Sequence, residues 1–320
     1  MEPFRHWPKA ELHVHLEGSV RPDMLLELAP GLTLEQVQQR YRFRGFAGFV
    51  EAFKWVTSFL RTPDDYAFVA DRLLAQLETE GVRYAEITLS VGVMLWRGLN
   101  PVPIYDALEQ VRRRHPQIDV WWIFDAVRHF GPEAAWPVVK LAADRATDRV
   151  VAFGLGGDET RGPAHWFRPL CSFARRHGLG LTLHAGEMAG PRSIWQAIEC
   201  GARRIGHGIR AIEDPELVTY LREHRIALEI CLTSNLRTGA VSNLEAHPLR
   251  RLYDAGVPVV LNTDDPGLFE TTLSQEYALA ADRLGFTLAE LQDLAAKSFH
   301  YGFRYSPLQA EPYESPGVIL

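Results

Sequence analysis

The sequence is poor in the features that mark extracellular, membrane-spanning or nucleic-acid-binding chains. Its three cysteines, Cys171, Cys200 and Cys231, are too few and too scattered for a disulfide framework or a CxxC metal site. No leader with a charged start and an apolar stretch precedes MEPFRHWPKAEL, so a reducing cytoplasm is the expected compartment. No apolar run approaches the roughly 18 residues of a membrane span, and no membrane partner is expected. Basic charge is also short. The 34 Lys and Arg against 40 Asp and Glu give a net charge of −6, which leaves no basic face for phosphate backbones and speaks against nucleic acid. Repeats and low-complexity segments are missing, and no GxGxxG turn follows the first strand-like run. A small molecule remains as the partner.

What the chain does have is a long β-then-α rhythm. Hydrophobic residues make up 47% of it, enough for a large core. Strands are expected at AELHVHL, YAEITLS, DVWWIFDA, VVAFGL, LGLTLHA, RRIGHG, IALEICL and VPVVLNTDD, with helical patterns between most of them. Several of those helices end in Gly. The alternation predicts right-handed crossovers and a parallel sheet closed as a (β/α)8 TIM barrel, one domain over 1–306 with an irregular tail over 307–320. An insertion at about 31–70 follows the first strand. Within it Phe46, Phe49, Phe53 and Val56 share one helix face, which suits either a helix packed on the barrel or a hydrophobic lid over a pocket.

Polar residues that are hard to explain as core fall at the C-terminal ends of the expected strands, where barrel enzymes keep their chemistry. They are His13 and His15, Gly157 and Asp158, His184 and Glu187, His207, and Asp264 and Asp265. Side chains at i and i+2 of a strand share a face, so His13 and His15 offer two nitrogens to one ion. An isolated HxH pair would equally suit two satisfied interior histidines. With LHAGE, GHG and NTDD at later strand ends, His13, His15, His184 and Asp264 become three imidazoles and a carboxylate suited to one catalytic zinc. A second metal is not expected, because none of the four lysines sits at the end of strand four to bridge it. The remaining histidines, His247 among them, lack partners at ligand spacing and are assigned to surface or packing.

HVHLEG, GDE, LHAGE, IGHG, SNLRTGA and NTDDP, in this order, make the sequence resemble the adenosine deaminase family of zinc-dependent purine aminohydrolases across nearly its whole length. The resemblance implies a (β/α)8 fold, one zinc ion and hydrolytic replacement of the 6-amino group by oxygen. It implies that His207 orients or deprotonates the attacking water and that Asp264 binds zinc and directs the hydroxide. Glu187 would protonate ring N1, Asp265 would meet N7, the Gly157 amide would approach N3, and Glu17 would face the 5′ side of the ribose. Phe46, Phe49 and Phe53 are carried forward as candidate substrate contacts.

The expected substrate is adenosine, 2′-deoxyadenosine or a related nucleoside. Where many relatives read ExRxSP after strand two, this chain has EITLSVG, with Thr88 for the arginine and Val91 for the proline. That departure points to the alternative of an enlarged 5′ substituent, as in 6-amino-6-deoxyfutalosine, with adenine next. Outside this class stand another metal-dependent amidohydrolase and a non-catalytic nucleoside-binding protein.

Overall fold

Eight short strands build the molecule, each followed by helical structure. The structure is a computed structural model and describes residues 2–305, so the expected tail over 307–320 lies outside the described residues. The strands are β1 (Lys9–His15), β2 (Val82–Leu89), β3 (Asp119–Val127), β4 (Val150–Gly156), β5 (Gly180–Ala185), β6 (Arg204–His207), β7 (Ala227–Ile230) and β8 (Val259–Leu261). All pair in parallel with their sequence neighbours. Helices cover the outer face, so most strands are buried on both sides and read as continuous apolar runs.

Local chemistry starts the helices. Proline occupies a first position at Pro63, Pro101, Pro191 and Pro215, where its missing N–H costs nothing. Thr62 and Asp65 form a reciprocal capping box ahead of the helix Pro63–Thr79.

The barrel closes between β8 and β1, and side chains hold much of that seam. Asn262 Oδ1 accepts from the amides of Leu12 and His13 at 2.8 and 3.1 Å, and Glu11 Oε1 accepts from the Thr263 amide at 2.9 Å. Beyond β8 the Asp264 amide donates to the His13 carbonyl at 2.9 Å, and the His15 amide donates to the Asp264 carbonyl at 2.7 Å. The sequence pattern predicts a longer eighth strand, over 257–265. The regular ladder is three residues, and Asp264, with φ 65° in the left-handed region, still bridges to β1 beyond it.

Inside the barrel Arg204 lies between Glu86 and Glu229, all three almost fully buried, with the Phe303 ring 3.9 Å from its guanidinium. The insertion after β1 forms the helices Leu34–Tyr41 and Gly45–Thr57 before Pro63–Thr79 begins. Helix Gly45–Thr57 does two things at once. Ala52 and Val56 enter the core, while Phe46, Phe49 and Phe53 face a cavity at the C-terminal end of the barrel.

Candidate active site

The seam places two strand ends that carry candidate metal ligands side by side. Asp264 Oδ1 lies 3.2 Å from His13 Nε2 and 3.3 Å from His15 Nε2, and His184 Nε2, from β5, is 3.3 Å from His15 Nε2. The four ligand atoms fall within 4.8 Å of one another. His13 Nε2 is buried and has no hydrogen-bond partner. Three nitrogens and one oxygen converging on an orphaned atom fit a divalent cation with a coordination position to spare.

The electrostatics agree with that fit. Burial, together with the neighbouring histidines, holds His184 well below its usual range, and burial holds His15 at about 4, so both rings are neutral with lone pairs available. Burial opposes a charge on His13 as well, but the Asp264 and Glu229 carboxylates beside it lift it to about 10; its Nε2 proton is the one a bound cation would displace. Asp264 stays ionised because the histidines outweigh its desolvation.

A second layer of residues fixes the ligands. Glu229 Oε2 accepts from His13 Nδ1 at 2.7 Å, which leaves Nε2 for the metal, and Glu229 is itself held by Arg204 and by Thr182 Oγ1 at 3.0 Å. Burial would raise Glu229, but Arg204 and His13 keep it at about 2. Ser234 Oγ donates to Asp264 Oδ2 at 2.7 Å, and Arg128 donates to the His184 carbonyl.

Above this cluster opens a cavity of about 570 Å³. Glu187, His207, Gly157 and Asp265 line it together with Phe46, Phe49 and Phe53. Glu187 Oε2 is 3.7 Å from His207 Nε2, and its Oε1 accepts from Thr238 Oγ1 at 3.0 Å. Burial raises the carboxyl of Glu187; burial and Asp264 raise that of Asp265. Gly157 has φ 88°, and a Cβ there would lie 2.9 Å from His129 Nδ1, so a side chain would meet both strain and a neighbour. Gly18 makes room for Asp265, whose Oδ1 would stand 1.6 Å from a Cβ at that position.

Residues 8–310 match the profile of the family described as Adenosine deaminase. The chain belongs to the adenosine deaminase family. It is 38% identical over 309 residues to the aminodeoxyfutalosine deaminase of Streptomyces avermitilis, covering 92% of this chain and 86% of that protein. Against the adenine deaminase of Sinorhizobium medicae it is 35% identical over 310 residues, covering 94% and 96%. Among solved structures, a cog1816 amidohydrolase from Burkholderia ambifaria with bound Zn superposes with a TM-score of 0.86 at 26% identity, covering 96% of this chain and 88% of that one. The chain is thus a purine deaminase of this family, and its chemistry is hydrolytic removal of a 6-amino group.

Within the adenosine deaminase frame, most of the expected site residues line this one cavity. Glu17 does not line the cavity. It is buried under the rim, and its Oε1 accepts from the amide of Ser90, which does line it. Burial pushes Glu17 to about 7.

Several residues emerge only from the structure. Asp125 sits at the end of β3 with Gly154 and Gly156 beside it, and a Cβ at either would come within 3.0 Å of its carboxyl. It lines the cavity, has one oxygen without a partner, and is pushed by burial to about 8. Glu159, in the GDE motif, accepts from the amides of Gly186, Glu187 and Met188 at 2.7 to 2.9 Å and so shapes the turn that carries Glu187. An acid inside an apolar strand was the available signal for Asp125 and for Glu229. Thr238, Ser234 and Asn235 lie in SNLRTGA, whose individual contacts no pattern reveals.

Proposed function

We propose that this deaminase uses zinc and acts on a 6-aminopurine nucleoside with an enlarged 5′ substituent, of the aminodeoxyfutalosine type. The observation that carries the reading is the size and lining of the cavity. Its volume of about 570 Å³ is far more than a bare purine ring fills. Away from the metal ligands, the wall is built from Phe46, Phe53, Val93, Trp96 and Phe130, with Lys54 and Arg161 among them. Trp96 is 67% exposed and stacks on Phe130 with ring centroids 5.6 Å apart, which leaves an exposed apolar surface on the cavity wall. A bare adenine would leave most of that volume unfilled. The relative from Streptomyces avermitilis supports the same choice, although adenine deaminases are similarly close.

The chain's own residues would carry the reaction as follows. His13, His15, His184 and Asp264 would hold zinc, which when bound lowers the pKa of a water ligand to about 7 and supplies hydroxide at neutral pH. Purine N1 and N7 are acceptors and need donors. Burial raises the carboxyls of Glu187 and Asp265, which favours the protonated forms that would donate, Glu187 to N1 and Asp265 to N7. Protonation at N1 relieves the negative charge that enters the ring when oxygen adds at C6. The Gly157 amide would approach N3, and Phe46, Phe49 and Phe53 would cover the base and exclude water.

The test is a deamination panel on zinc-loaded protein with aminodeoxyfutalosine, adenosine, 2′-deoxyadenosine and adenine, followed by the ultraviolet change at the 6-amino group. The highest kcat/KM is expected for aminodeoxyfutalosine. A higher value for adenine would refute the substrate assignment, and no turnover of any member would refute the function.

A further inference from the structure

His247, assigned from sequence to surface or packing, is buried and belongs to a chain of hydrogen bonds that ends in the cavity. The chain starts at a group with only one possible role. The Leu249 backbone N–H, at the start of helix Leu249–Asp254, donates to His247 Nδ1 at 3.1 Å. Nδ1 of His247 therefore carries a lone pair. Burial keeps this ring neutral by lowering it to about 3, so its single ring proton is on Nε2. Nε2 faces Asn235 Oδ1 at 3.1 Å, which fixes the orientation of the amide. Asn235 Nδ2 then points at His207 Nδ1, also at 3.1 Å.

An amide nitrogen donates and does not accept, so His207 Nδ1 is an acceptor. In neutral His207 the proton must sit on Nε2. That atom faces the reacting end of the cavity, 3.7 Å from Glu187 Oε2 and 3.9 Å from Asp264 Oδ2. Asn235 and His207 are buried as well, and His207 is held at φ 61° in the left-handed region.

We propose that Asn235 and His247 are positioning residues, a relay running from the Leu249 amide that sets the tautomer of His207 and presents an N–H, not a lone pair, to the cavity. In that form the neutral ring stabilises negative charge on an oxygen adding at C6 and cannot take that oxygen's proton through Nε2. The use of this N–H rests on the deaminase reading. The relay itself does not.

The experiment is nitrogen-15 spectroscopy of the zinc-loaded protein with labelled histidine, with His207 assigned by its loss in His207→Gln. The wild type is expected to show His207 protonated on Nε2. Asn235→Asp replaces the donor by a carboxylate that accepts, so the proton should move to Nδ1. With it kcat should fall by about 10²–10³-fold, while KM stays within a few fold, as for loss of one preorganised donor. His247→Gln keeps a donor for Asn235 Oδ1 and should retain both the tautomer and most of the turnover. A wild-type His207 protonated on Nδ1 would overturn the proposal, as would an Asn235→Asp variant with unchanged tautomer and kcat. The spectrum needs no substrate, so failure to deaminate any 6-aminopurine would sink the functional reading and leave the relay to be judged on its own.

Discussion

Replacing Arg204 by Met tests whether the metal site rests on the charge network beneath it. Arg204 is 1% exposed and pairs with Glu86 Oε2 at 2.6 Å and with Glu229, both fully buried. Methionine fills part of the volume but leaves two carboxylates without their cation. Breaking a buried ion pair by removing one partner costs about 3–5 kcal/mol. With an unfolding entropy of about 2.1 cal/mol/K per residue over 320 residues, the melting temperature should drop by about 4–7 °C.

The pH dependence carries a sign. In the wild type Glu229 is depressed to about 2, so its contribution to stability is present above its unfolded value near 4.5 and is lost as pH falls through 2. Burial already raises Glu86 beside Arg204, and loss of Arg204 raises it further and leaves only His13 to oppose the burial of Glu229. The folded state then binds more protons than the unfolded one, so the variant loses stability as pH rises. The gap between wild type and Arg204→Met should therefore widen from pH 5 to pH 8, read by urea unfolding and thermal melts on metal-free protein. Zinc affinity should fall too, because Glu229 orients His13 through a 2.7 Å bond. A melting shift below about 1 °C at pH 8, or a gap that narrows with rising pH, would refute the reasoning.

Three further outcomes are expected. Glu187→Gln keeps the shape and the Thr238 contact but removes the transferable proton, so kcat should fall by about 10²–10⁴-fold while zinc content and binding of a ground-state purine analogue stay near wild type; near-normal turnover on every 6-aminopurine would exclude the N1 role. Phe49 stacks on Phe269 at 5.1 Å in the cavity wall, and Phe49→Ala should raise KM with little loss of fold stability; a large fall in melting temperature at unchanged KM would mark a packing helix instead. Dialysis against a chelator should abolish turnover, and metal analysis after reloading should return one zinc per chain; two ions, or a site lacking any of His13, His15, His184 and Asp264, would overturn the ligand assignment.

Much of the site was legible because a strand writes its geometry into its sequence. A period of two places His13 and His15 on one face. The position of a polar residue just past an apolar run places Glu187, His207 and Asp264 at strand ends. Residues that act through others left no such mark. Asn235 lies in a six-residue helix, Leu232–Arg237, where the sequence pattern continues a strand through Leu232, and its partners sit 28 and 12 positions away. Glu17 resembled a ribose contact by motif position, yet its carboxyl meets the Ser90 amide, 73 residues along the chain.

The sequence by itself pointed to the barrel through its periodicity, to the family through its ordered motifs, and to the candidate metal ligands through residue type at strand ends. Only the tertiary structure decided how the ring closes, which carboxyls burial raises, and which residues hydrogen-bond to His207. Closure depends on Asn262 and Glu11 replacing main-chain partners across about 250 residues. The protonation states depend on burial and on charges contributed by different strands. No single stretch of chain contains those quantities, because desolvation and hydrogen-bond partners exist only once distant segments have been packed together.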